Sequence, residues 1–110
     1  MAAVSIVLSN IPNQYPFSAQ MADPSVPVAS EVITSSASSQ QSTNSSGAAA
    51  STSASTSSYR MWTITSTGNV WVKFGRNPTA VAGSLLIPAG ASRRFLVSSD
   101  NEKVAVIDAP

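Results

Sequence analysis

The sequence predicts an all-β protein, a sandwich or small barrel. Short runs of β-branched and aromatic residues recur after residue 58, and turn residues separate them at intervals of about ten. Prolines 12, 16, 24 and 27 leave no room for a long helix near the start. Three regions differ in composition: an extended N-terminal arm over residues 1–33, a low-complexity strap over 34–58, and a compact β body over 59–110.

In the arm, Val4–Leu8 is the one apolar run that predicts a strand, because proline biases its predecessor toward extended geometry without donating to a ladder. No basic residue precedes this run and it is too short for a signal peptide. No apolar stretch approaches the length of a membrane span. Residues 34–58 contain only Ser, Thr, Ala, Gln, Asn and Gly47. Fixing a backbone costs about 1–2 kcal/mol per residue, and this tract has almost no apolar area to offset it. The expectation is therefore a strap that another protein surface must order, reaching about 80 Å if fully extended.

The body reads more clearly. Tyr59–Thr65 is aromatic and β-branched, with enough polar residues for a half-buried strand. Ser66–Asn69 supplies turn residues, and Val70–Phe74 follows with Val70, Val72 and Phe74 sharing the inward face. Trp71 and Lys73 then face out. Leu85–Ile87 is a short strand closed by Pro88-Ala-Gly90, with Pro expected at the first corner of a turn. Across Ser92–Val97, Arg93, Phe95 and Val97 share one face, and Arg94 and Leu96 the other. Lys103–Ile107 is the last strand. Its Val-Ala-Val-Ile run has no polar alternation, which predicts cover on both faces. A body of this size supports only a small core, so Val4–Leu8 and partner chains are expected to add to it.

Composition excludes most chemistry. With no His and no Cys, there is no imidazole base, thiolate nucleophile or zinc-finger ligand set. Asp100 and Glu102 sit two apart in a turn, and no serine lies in a nucleophile elbow. No phosphate-binding glycine pattern occurs, and Asn44-Ser-Ser46 matches a glycosylation acceptor without a secretory leader to expose it. The reading is non-enzymatic, with no catalytic, cofactor-binding or metal-binding residue. A formal charge of +1 and 10% charged residues, against about 25% in an average domain, argue against a nucleic-acid partner.

The aromatics carry the remaining signal. If residues 59–74 form a hairpin, Trp62 and Trp71 sit side by side across it. Three uses stay open: a protein interface, where Trp buries much area at little entropy cost, the chain's own core, or a sugar-binding platform with Tyr59. Arg93 and Arg94 point to opposite sides, so one of them at most joins a given contact. Tyr59, Trp62, Trp71, Arg93 and Arg94 are the interface candidates.

Val70-Trp-Val-Lys-Phe-Gly75, Pro78-Thr-Ala80, Leu85-Leu-Ile-Pro-Ala-Gly90 and Lys103-Val-Ala-Val-Ile107 resemble small β-rich virion proteins of tailed bacteriophages. Some of these decorate or cement the outer capsid. The resemblance spans under half of the chain and leaves out residues 34–58. It implies a jelly-roll-like sandwich seated on the outer capsid surface, made in the host cytoplasm. It also implies the major capsid protein and copies of itself, as dimer or trimer, as partners, with no membrane. Gly75 and Pro88-Ala-Gly90 would carry the turns, and Val70, Val72 and Phe74 the core. A receptor- or carbohydrate-binding module of a phage particle is the alternative reading.

Overall fold

The computed structural model describes residues 1–11, 27–46, 59–98 and 101–110. All regular structure among them is β: β1 (Ala3–Ile11), β2 (Pro27–Thr34), β3 (Gln40–Gln41), β4 (Tyr59–Ser66), β5 (Val70–Gly75), β6 (Leu85–Ile87), β7 (Ser92–Leu96) and β8 (Lys103–Asp108). They form two four-stranded sheets, β2-β1-β4-β7 and β3-β8-β5-β6, with every pair antiparallel.

Period-two alternation fixes the inner faces. Val4, Ile6 and Leu8 of β1 and Trp62 and Ile64 of β4 point toward Val70, Val72, Ile87, Val104 and Val106 of the second sheet. All belong to one buried cluster, a sandwich-like core. Phe74 and Phe95 close one side of it with ring centroids 4.9 Å apart at 52°. As expected, Val70 and Val72 are fully buried and Phe74 packs on the cluster.

The first correction concerns residues 1–33. Instead of an arm with one short strand, they supply two paired strands, with Ala3 opposite Thr34 and Leu8 opposite Ala29. β2 is an edge strand whose first residue is Pro27, a place where a missing N–H costs no ladder bond. Its alternation puts Ala29, Glu31 and Ile33 on the parity of the core residues of β1, and Val28, Ser30, Val32 and Thr34 on the other.

The second correction is that β4 and β5 do not form a hairpin. β4 pairs with β1 and β7, β5 with β6 and β8, so the short connection crosses from one sheet to the other. Thr67 holds the crossing: its N–H donates to Ala3 O at 3.1 Å, and Ala3 N–H donates back to Thr67 Oγ1 at 2.9 Å. Gly68 lies where a Cβ would stand 3.1 Å from the Ala2 Cβ, a tight approach that a side chain could take only if Ala2 gave way by a few tenths of an ångström. At the other turn, Ala91 N–H donates to Pro88 O at 3.0 Å and Gly90 has φ +79°. Pro88 is thus the residue before the first corner, and Gly90 takes the position that needs positive φ.

The third correction concerns the serine-rich tract, of which residues 47–58 lie outside the described residues. Residues 35–46 run antiparallel along β8 and are ordered by this chain itself. Asp108 N–H donates to Ser36 O at 2.9 Å, Gln40 pairs with Val106, and Ser42 and Ser46 follow opposite Val104 and Glu102. The same small device recurs. Ser42 N–H donates to Val104 O (2.7 Å) while Val104 N–H donates to Ser42 Oγ (3.0 Å). Ser46 N–H donates to Glu102 O (2.8 Å) while Glu102 N–H donates to Ser46 Oγ (2.8 Å). Ser35 treats Ala2 in the same way, with both bonds at 2.8 Å. In each pair the serine hydroxyl replaces the backbone carbonyl of a regular ladder. A short hydroxyl on Cβ reaches where the main chain does not, so an irregular chain still satisfies a strand edge. Ser35, Ser42 and Ser46 are buried, and no buried side-chain N or O among the described residues lacks a partner.

β8 is covered on both faces, as its unbroken apolar run implies: Val104, Ala105 and Val106 are inaccessible. The chain covers the outer face too. Gln41, in register with Ala105, donates through Nε2 to Asn77 Oδ1 (2.6 Å) and Pro78 O (3.0 Å). Ala80 N–H donates to Ser39 Oγ at 2.9 Å. The segment after β5 therefore folds back across β8 to the β3 edge, burying Pro78 and Ala80.

Candidate functional site

The described carboxylates all serve the fold. Glu31 accepts from the Thr43 and Asn44 N–H groups at 3.0 and 2.9 Å, tying β2 to the serine-rich segment. Asp108 accepts a hydrogen bond from the Ser35 hydroxyl. Glu102 is buried between the sheets, where Oε1 accepts from Trp62 Nε1–H at 2.9 Å and Oε2 from the Ser98 hydroxyl at 2.8 Å. Arg60 Nη1 donates to Ser46 O beside it. Trp62 and Ser98 hold the Glu102 carboxylate for the fold, and at 2% exposure it is closed to a substrate. Among the described residues, no group of acidic, His or Cys side chains is placed to hold a metal ion.

The five interface candidates do not form one site. Trp62 is wholly inside, on the parity of Ile64, opposite Leu8 and Phe95. Its indole N–H finds its partner in Glu102, which is what a buried Trp requires. Trp71 lies on the outer face of the second sheet and is half-buried, so the two rings share no platform. Tyr59 opens β4 opposite Ile11, and its side chain lies outside the described part. Arg93 and Arg94 are exposed on the edge strand β7, with alternating parity as expected. They belong to the first sheet, away from Trp71 in the sheet order.

A different surface emerges around Trp71. On the outer face of the second sheet, Leu86, Trp71 and Ile107 stand in one register row. Lys73 follows two residues along β5, and Lys103 is opposite Gly75, diagonal to Lys73. Arg76 comes next in the chain and is exposed. At the β6 edge the aliphatic surface continues: Val81 is 52% exposed, Leu85 53% and Leu86 45%. β6 pairs only with Val70–Val72, so past it the β5 edge at Lys73 and Phe74 opens into a groove framed by the Val81–Leu85 turn. Ser84 N–H donates to Val81 O at 3.1 Å and holds that turn.

Of this surface sequence reasoning named Trp71 as an interface candidate and missed its aliphatic neighbours, although a signal for them existed. Two consecutive leucines on a three-residue strand cannot both face a core, so Leu85-Leu86 marks an outer apolar contact. No protein-family model, curated protein or solved structure matches this chain. Among the described residues no helix is long and apolar enough to cross a membrane.

Proposed function

We propose that this chain is a structural, non-enzymatic docking module that decorates the outer surface of a bacteriophage capsid and staples neighbouring subunits. One observation carries the reading. The fold uses its described carboxylates and buried serines internally, while Trp71 and Leu86 on the outer face, with Val81 and Leu85 exposed at the β6 edge, are left as apolar surface. Apolar centre and polar rim are the anatomy of a protein contact. The segments that resemble capsid decoration proteins, and with them the jelly-roll likeness, include β5, β6 and β8, which build this face. Many copies bound to one shell would turn a modest contact into lasting attachment through avidity.

Co-sedimentation with capsids assembled without this chain tests the reading. Leu86→Asp places a charge on this apolar surface and leaves the core untouched. Binding should fall by about tenfold or more, with the thermal midpoint unchanged. Undiminished binding of a folded Leu86→Asp chain, or no binding by the natural sequence, would contradict it.

A further inference from the structure

We infer that the partner of this face is an acidic protein surface, whose carboxylates meet Lys73, Arg76 and Lys103 around the apolar contact at Trp71 and Leu86. The inference rests on the docking reading above and adds the chemistry of the partner.

The net charge of +1 conceals an asymmetry. Asp23 and Asp100 lie outside the described residues. Of the other acidic groups, Glu102 is sealed in the core, Glu31 is engaged by two backbone N–H groups and Asp108 by Ser35. Lys73, Arg76, Arg93 and Arg94 are exposed and Lys103 half-exposed, and among the described residues none of them has an ion-pair partner. Glu31 keeps its charge but belongs to β2 of the other sheet, and Asp108 is paired with the N-terminal ammonium at 3.6 Å, so the described charge on the outer face of the second sheet is cationic. Lys73 and Lys103 are diagonal neighbours on one sheet face, a spacing of about 7–8 Å; Arg76 follows Gly75 in the chain, Lys73 stands two residues from Trp71 along β5, and the covered Ala105 separates Lys103 from Ile107 on β8.

Two other occupants fit less well. A second copy brought face to face would oppose like charges, with no free described carboxylate to relieve them. A nucleic-acid strand needs a continuous basic track and open ring faces for stacking. Here the one aromatic in the described register row is half-buried between Leu86 and Ile107. An acidic protein surface meets both the apolar surface and its cationic border.

The test titrates isotope-labelled full-length chain with an oligoglutamate peptide containing leucines, followed by NMR amide shifts, with oligothymidylate as the competing probe. Shifts should concentrate on residues 71–76, 85–86 and 103 and fade between about 0.05 M and about 0.5 M salt as charges are screened. The double variant K73E/K103E, checked for an intact spectrum, should bind the peptide about tenfold more weakly. Shifts centred on Arg93 and Arg94, indifference to K73E/K103E, or tighter binding of oligothymidylate would each overturn the inference. The capsid assay separates the two claims. If Leu86→Asp abolishes capsid binding and K73E/K103E does not, docking stands and the acidic partner falls. If neither variant affects it, both fall.

Discussion

Serine has an uncommon use in this molecule. At positions 35, 42 and 46 its N–H and its hydroxyl engage the carbonyl and N–H of a single facing residue. The hydroxyl is as important as the main chain, because Val104 N–H and Glu102 N–H are buried and find no substitute in solvent. A net hydrogen bond contributes about 0.5–1.5 kcal/mol, but orphaning a buried donor costs about 1–3. Ser42→Ala and Ser46→Ala should therefore each lose about 1–3 kcal/mol in urea unfolding. Ser38→Ala, at an exposed position of the same tract, should stay within about 0.5 kcal/mol. Trp62 offers a second test at this scale. Trp62→Phe leaves Glu102 Oε1 without its indole donor and opens a void beside Leu8. Destabilisation of about 2–4 kcal/mol is expected by the same measurement.

Among the elements, those that alternate or run apolar were legible: β1 and β4 through β8 lie where residue types place them, differing only at their ends. β2 was hidden because Pro24 and Pro27 dominate its entry, yet proline is harmless at the start of an edge strand. The crossing between β4 and β5 was hidden for another reason. Ser66–Asn69 has the composition of a hairpin turn, and composition does not tell whether the next strand pairs with its predecessor or stacks above it. That choice is made by Thr67 bonding to Ala3 and by the approach of Gly68 to Ala2. The candidate surface depended on the same choice, since a hairpin would have put Trp62 beside Trp71. Gly68→Ala tests the crossing: the added methyl meets the Ala2 Cβ at 3.1 Å, and because Ala2 is itself buried and must shift by a few tenths of an ångström, a cost of about 1 kcal/mol is expected from overpacking.

For the whole molecule, the unbroken apolar β8 suggested that another chain must cover it, but the chain covers both faces itself. Its outer face lies under the segment that Gln41 and Ser39 tie down, and its edge is lined by residues 36–46. The described contacts that cover β8 thus all come from the same chain. The urea midpoint should be independent of protein concentration over about a hundredfold range, since coupled association would shift it by mass action. The serine-rich segment before residue 47 is then a working edge of the sandwich and no loose strap, and on this the whole fold turns. Amide hydrogen exchange of the dilute isolated chain tests it most directly. The Ser42, Ser46, Glu102 and Val104 amides should be protected to the same degree as Val72 and Val106 inside the second sheet. Exchange of Ser42 and Ser46 at the rate of an unstructured peptide, while Val72 and Val106 stay protected, would contradict it.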